Sequence, residues 1–208
     1  MAGIYLHIPF CKKACHYCDF HFSTSFRHKD DVVEAMHREI DLRRSYLNDQ
    51  PVETIYFGGG TPSILSGSEI SGLIDHLAAA FTIDASAEIT LEANPEDLDL
   101  LKVRELRNTP INRFSIGTQS FFDEALVWVN RAHTAGEGED SIKRVQDAGF
   151  ENITIDLIYG FPQLTDEKWR SNIKKALALE VPHISSYSLT VEPGTALASF
   201  IKKGKSKY

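Results

Sequence analysis

Three cysteines occur in this 208-residue chain, and all of them lie within Cys11-Lys12-Lys13-Ala14-Cys15-His16-Tyr17-Cys18. Thiols kept for packing would be scattered, and three cannot all pair as disulfides. As thiolates on one Cys-x3-Cys-x2-Cys loop they could wrap a single soft metal centre, and thiolate softness selects zinc, copper(I) or an iron–sulfur cluster. A structural zinc site asks for four protein ligands. With no fourth cysteine in the chain, zinc would need a distant histidine. A [4Fe–4S] cube held by three thiolates instead leaves one iron open to a small-molecule ligand. The open-iron reading is the better one.

Other residues could serve such a centre, each with a plainer alternative. Gly58-Gly59-Gly60-Thr61-Pro62 would let a backbone approach a ligand closely, although a tight turn needs no more than that. The loop lacks the Lys-Ser/Thr of a phosphate-binding P-loop, so ATP is not implied. Glu92 ends a strand pattern and could bind a ligand or cap the next helix. Asp156 interrupts an apolar strand, where an unpaired carboxylate is costly, so it must be hydrogen-bonded or functional. His16 and His21 lie near the thiols without ligand spacing and read as surface or supporting residues. Ser23, Ser115 and Ser120 sit in no Gly-x-Ser-x-Gly elbow, which leaves hydrolase chemistry without support.

The cysteine loop, the Tyr5-Leu6-His7-Ile8-Pro9-Phe10 stretch before it and the glycine loop together resemble the radical S-adenosylmethionine (radical SAM) superfamily. Within it the chain is similar to the group that joins oxygen-independent coproporphyrinogen III oxidases to their heme-chaperone relatives. The resemblance covers essentially the whole chain. It implies that Cys11, Cys15 and Cys18 hold a [4Fe–4S] cluster whose open iron binds SAM. It also implies SAM contacts from Tyr5, Tyr17, Gly59, Gly60, Thr61, Glu92, Gln119, Arg131 (12 residues after Gln119) and Asp156. The expected chemistry is one-electron cleavage of the SAM sulfonium to methionine and a 5′-deoxyadenosyl radical.

Two departures decide the branch that the resemblance favours. The oxidases carry a further cysteine two residues after the third, where this chain has Phe20. They also extend before the first strand, where only Met1 to Gly3 stand here. Both favour the heme-chaperone branch, with the oxidase as the alternative. That branch implies heme or porphyrin as cargo, heme-receiving proteins, a reductant such as flavodoxin or ferredoxin, and peripheral contact with membrane hemoproteins. The branch's His-Asn-x-x-Tyr-Trp signature is missing. The expectation is therefore one radical SAM core domain, residues 1–208, with the family's C-terminal domain and the heme site outside the chain.

The elements that must position these residues alternate along the chain. Strand patterns fall at Ile4–Ile8, Glu53–Phe57, Glu88–Glu92, Arg113–Thr118, Asn152–Ile158 and His183–Leu189. Helical spacing is expected from Asp30 or Asp31 to about Leu47, after Ser66, from Pro95-Glu96, near 124–129, over 135–148 with Gly149 as the stop, over 166–179, and from Thr195 to Lys202. Six strand–helix units without a composition break argue for parallel strands with crossover helices. They are too few for a closed eight-stranded barrel. The fold class is thus α/β, an open (β/α)6 partial barrel with outer helices, as the resemblance also implies.

Composition agrees. Hydrophobic residues make up 42% and charged residues 25%, ordinary for a globular domain with a sizeable core. A net charge of -7 argues against nucleic acid as the main partner, and the short basic run Lys202–Lys207 reads as a solvated surface. No apolar run reaches the roughly 18 residues of a membrane span. No secretory leader is visible at Met1-Ala2-Gly3, and free thiols suit a reducing compartment, so the cytoplasm is expected.

Overall fold

The computed structural model describes residues 2–205; Met1 and the Ser206-Lys207-Tyr208 end, including the last of the basic run, lie outside them. Six strands form one parallel sheet in sequence order: β1 (Ala2–Ile8), β2 (Val52–Gly59), β3 (Ile83–Ala93), β4 (Arg113–Gln119), β5 (Ile153–Tyr159) and β6 (His183–Ser188). β1 and β6 are not hydrogen-bonded to each other, so the barrel is open. The helices are α1 (Lys29–Leu42), α2 (Gly67–Ala80), α3 (Leu100–Arg107), α4 (Asp123–Trp128), α5 (Ala135–Asp147), α6 (Asp166–Ala178) and α7 (Ala196–Lys202). The expected open (β/α)6 fold is the one found. No helix among the described residues is long and apolar enough to cross a membrane.

Strand periodicity explains the two faces. Successive side chains point to opposite sides of a sheet. Ile55, Phe57, Leu91, Phe114, Ile116, Ile155 and Leu157 go outward into the main core beneath the helices. Their alternates Tyr56, Glu92, Arg113, Ser115, Asp156, Ser185 and Tyr187 go inward and line a cavity. At the N-terminal ends of β4 to β6 a layer of polar side chains crosses the interior. Arg113 donates to Thr90 Oγ1 at 3.0 Å and Thr154 Oγ1 at 2.7 Å, and His183 Nδ1 lies 2.8 Å from Thr154 Oγ1.

Helix α2 begins in a full capping box: Ser66 Oγ accepts from Glu69 N, and Glu69 Oε2 accepts from Ser66 N at 2.7 Å. Glu69 is also paired with Lys29, which ties α1 to the same corner. Ser66→Ala should lower unfolding stability by about 1 kcal/mol without affecting the cavity, measurable by urea titration. An unchanged midpoint would show that Lys29 alone holds that corner.

Several boundaries depart from the sequence pattern, and β3 begins at Ile83 rather than Glu88. Helix α1 starts at Lys29, with Asp30 and Asp31 in its first turn rather than at its cap, and ends at Leu42 rather than near Leu47. Asn48 and Asp49 adopt φ of 47° and 60° in the turns that follow, conformations those two residues tolerate. Leu47 still packs on the core, which is why its apolar spacing resembled helix. Pro95–Asp97 forms a 3₁₀ turn instead of opening α3, whose N-cap is Asp99, accepting from Lys102 N at 2.7 Å. The Asp97 carboxylate is already engaged by Ser63 Oγ at 2.6 Å and Lys12 Nζ at 2.5 Å.

Candidate functional site

The cavity holds about 580 Å³, within the usual range for small-ligand sites, and opens beyond the strand ends. Cys11, Cys15 and Cys18 line one side of it. Their loop leaves β1 after Pro9 and is pinned at its start, where Cys11 N donates to Ser23 O at 3.0 Å and Ser23 N to Pro9 O at 2.9 Å. Its middle is fastened to the end of α4. Asn130 Nδ2 donates to Ala14 O at 2.7 Å, His16 N to Val129 O at 3.0 Å, and His16 Nδ1 to Trp128 O at 3.0 Å. His16 thus anchors the loop, and His21 offers its backbone carbonyl to His7 Nε2 at 3.1 Å.

The glycine loop lies directly against the first thiol. Gly60 N donates to Ile8 O at 2.9 Å, and a Cβ there would sit 2.7 Å from Phe10 O and 3.0 Å from Cys11 Sγ. Gly59 has φ of +114° and would drive a Cβ into the His7 ring at 2.7 Å. Only glycine fits either position. Thr61 Oγ1 donates to Cys11 Sγ at 3.4 Å.

Opposite the thiols stand the carboxylates. Glu92 accepts from Tyr56 Oη at 2.7 Å and from the Gly59 N–H; it caps no helix. Burial raises its pKa, opposed by those two donors. Asp156 is pushed up to about 6, chiefly by burial and then by Glu92, against Ser185, Ser115 and Arg131. A group whose folded pKa lies above its unfolded value stabilises fully below the unfolded value. That stability is lost as pH rises through about 6. Asp156→Asn should therefore raise ligand-free stability by about 2 kcal/mol at pH 7.5 and add almost nothing below pH ~3.5. Thermal melts across that range would test it; a gain that does not change with pH would refute the assignment.

Arg131 joins the two sides. Its Nη2 donates to Asn94 Oδ1 and Gly117 O, each at 2.7 Å, and its Nη1 lies 3.5 Å from Cys15 Sγ. Burial opposes its charge, but Tyr17, Cys15 and Glu96 outweigh that and raise its pKa. Its Nε is enclosed and has no hydrogen-bond partner among the described residues. A bound acceptor would satisfy it. Gln119 takes φ of 64° in a tight turn closed by Ser120 N to Thr118 O at 2.7 Å, a strained arrangement of the sort that collects at functional sites. Its Oε1 accepts from Tyr187 Oη at 2.9 Å, and Tyr187 in turn accepts from Tyr17.

The structure thus gathers Cys11, Cys15, Cys18, Tyr17, Gly59, Gly60, Thr61, Glu92, Gln119, Arg131 and Asp156 around one cavity. Tyr5 stands apart from its lining. It is 56% exposed, packs beside Tyr56 with ring centroids 6.0 Å apart, and bonds His7 Nδ1 at 3.1 Å. Sequence reasoning missed Tyr56, Asn94, Arg113, Ser115, Ser185 and Tyr187, all of which line the cavity. Polar residues at every second strand position, as in Arg113-x-Ser115-x-Gly117-x-Gln119, were the available signal.

The donor set fits an iron–sulfur cluster. The three thiols line one cavity, and thiolates are the donors such a cluster takes. Each thiolate of a multi-iron cluster can take a different iron. Burial pushes the Cys18 thiol up to about 11, so cluster binding must displace its proton.

The family model of the radical SAM superfamily matches residues 5–176. The chain is 38% identical to the heme chaperone HemW of Lactococcus lactis subsp. lactis, over 96% of this chain and 52% of that protein. It is 36% identical to the heme chaperone HemW of Escherichia coli, over 95% of this chain and 53% of that one. It thus spans about half the length of these relatives. Among solved structures it is similar to coproporphyrinogen III oxidase (HemN) from Escherichia coli, a radical SAM enzyme, with a TM-score of 0.85 and 32% identity over 96% of this chain and 46% of that one. The archaeal Elp3 of Methanocaldococcus infernus shares the fold at 17% identity, with a TM-score of 0.67 over 83% of this chain and 46% of that one. A family match over most of its length, on an open six-stranded barrel with its only thiols at the cavity wall, shows that this chain belongs to the radical SAM superfamily.

Proposed function

We propose that residues 1–208 form the radical SAM core domain of a heme chaperone, which binds heme and delivers it to hemoproteins. The observation that carries the reading is Phe20, 68% exposed at the cavity mouth, standing where the oxidase group's additional cysteine would be. Phenylalanine offers neither a thiol nor a proton donor there. Supporting it are the 35–38% identities to proteins named heme chaperone HemW in three bacteria.

In this reading Cys11, Cys15 and Cys18 hold the [4Fe–4S] cluster, a role the superfamily implies. The cluster and SAM together supply one-electron chemistry when bound. The residues around them bind and orient. The Gly59–Thr61 backbone lets a ligand come close, Arg131 Nε offers an unused donor for an anionic group, and Glu92 and Asp156 can accept hydroxyl hydrogen bonds. Arg113, bonded to Thr90 and Thr154, forms the polar base of the cavity. Heme as cargo, the receiving hemoproteins and a flavodoxin- or ferredoxin-type reductant belong to the proposal, with the heme ligand outside this chain.

The test uses the full-length natural protein that contains this chain, reconstituted anaerobically with iron and sulfide. It is given dithionite, SAM and coproporphyrinogen III, and protoporphyrinogen is sought by mass spectrometry while heme binding is followed by absorbance. Stoichiometric heme binding without porphyrinogen turnover is the expected result. Turnover over many cycles would establish the oxidase alternative, the activity of HemN, to which the chain is 32% identical.

A further inference from the structure

We propose that Asn94, which touches no cysteine, is a positioning residue that couples the hydrogen bonds on two of the cluster thiolates and so sets the cluster's reduction potential. The inference rests on the radical SAM reading of the cysteine loop and concerns a residue that this reading leaves without a role.

The chemistry of the groups fixes the direction of the network. A guanidinium only donates, so the Asn94 atom 2.7 Å from Arg131 Nη2 must be the amide oxygen. The amide nitrogen therefore faces Thr61 and donates to Oγ1 at 3.1 Å. With its oxygen accepting, the Thr61 hydroxyl hydrogen is free to point at Cys11 Sγ, 3.4 Å away. Arg131 spends its other terminal nitrogen on Cys15 Sγ at 3.5 Å. Donation thus runs outward from Arg131, on one side directly to Cys15 and on the other through Asn94 and Thr61 to Cys11. Bonds in such a chain polarise one another.

Asn94 is held in place independently of its side chain. Its N–H donates to Ser63 Oγ at 3.2 Å, and its carbonyl accepts from Asp97 N at 3.0 Å. Pro95 follows and favours the extended conformation seen, with φ of -92° and ψ of 144°. Ser63 and Asp97 are themselves joined at 2.6 Å, and Asp97 holds Lys12, the neighbour of Cys11, at 2.5 Å. A side-chain substitution at Asn94 can therefore remove the relay while leaving these backbone bonds in place.

Hydrogen bonds to cluster sulfurs are among the determinants of iron–sulfur potentials. Donors to a thiolate withdraw electron density and favour the reduced state. Asn94→Leu keeps the approximate volume and removes the amide bonds to Arg131 and to Thr61 at once. Thr61→Val removes only the Cys11 limb. The experiment is an EPR-monitored redox titration of the reconstituted full-length protein, with iron and sulfide content measured on each variant.

At equal cluster content, Asn94→Leu is expected to lower the reduced-to-oxidised ratio at fixed potential about tenfold, which is ~59 mV for a one-electron couple. Thr61→Val should lower it by less. The double variant should fall short of the sum, because part of the Asn94 effect passes through Thr61. An unchanged potential in Asn94→Leu, or strictly additive effects, would overturn the proposal while leaving the cluster reading intact. A native protein that assembles no cluster would overturn both. Should Asn94→Leu assemble none, Asn94→Ser carries the same comparison: a lowered potential supports the relay, and an unchanged one defeats it.

Discussion

Cys15→Ala is expected to abolish the iron–sulfur cluster, with iron and sulfide content falling more than about 100-fold relative to the parent. Loss of an outer-shell partner alone typically costs 10–100-fold in metal affinity, and a direct ligand counts for more. The chain holds no thiol beyond Cys11 and Cys18 to take its place. The same substitution frees Arg131 Nη1 from its 3.5 Å contact with Cys15 Sγ. The ligand-free fold should survive, since none of the three cysteines belongs to the main apolar core. Iron and sulfide analysis, the visible charge-transfer absorbance and a ligand-free thermal melt test all three points together. A variant that retains a full cluster would show that the loop is not its seat. A collapse of the ligand-free fold would show that the loop is structural.

The second large effect is expected at Arg131. Arg131→Leu removes the donors to Asn94 Oδ1 and Gly117 O and leaves both acceptors in a half-buried site. Each unsatisfied group costs about 1–3 kcal/mol, so a loss of about 3 kcal/mol in unfolding stability is expected. It also removes the enclosed Nε that has no partner among the described residues, together with the positive charge facing the thiols. SAM affinity should fall about 10- to 100-fold, or ~1.4–2.8 kcal/mol. Anaerobic calorimetry on cluster-loaded protein gives the affinity, and urea titration of ligand-free protein gives the stability. Lowered stability with undiminished SAM binding would restrict Arg131 to a structural role. Arg131→Lys keeps the charge but not the planar fork, and should recover only part of either loss.

The two effects can be separated because the site is built from two kinds of support. The cysteine loop is tethered at its start and its middle by backbone hydrogen bonds, to Ser23 and to Val129. Arg131 is instead held by the Asn94 side chain, just after β3, and by a carbonyl of β4, so losing it disturbs the barrel rim itself.

Much of this was legible in the sequence because it is local. The spacing of the three cysteines, the Ser66-x-x-Glu69 capping box and the apolar alternation in Phe114-x-Ile116 or Ile153-x-Ile155 each depend on residues a few positions apart. Short-range stereochemistry gives such patterns nearly the same meaning in any fold. The six strand–helix units and their parallel arrangement followed from that alternation, and the cavity's position followed from where the glycine and cysteine loops fall. Two of the boundaries that failed, Leu47 and Pro95, are places where a distant contact outweighed local preference: Leu47 reaches the core without helix, and Asp97 is taken by Ser63 and Lys12.

Only the tertiary structure decided which polar residues converge. Asn94 carries no spacing signal of its own; its role comes from Thr61 and Arg131, 33 and 37 residues away. Arg131 meets Cys15 across 116 positions, and Tyr187 meets Gln119 across 68. Sequence also grouped Tyr5 with the ligand contacts, whereas the fold sets it outside the lining, beside Tyr56. Side-chain direction on a strand is fixed by period, but the side chain opposite is fixed by register and barrel curvature. Those are properties of the whole sheet, set by the core packing beneath the helices, and no short window of sequence contains them.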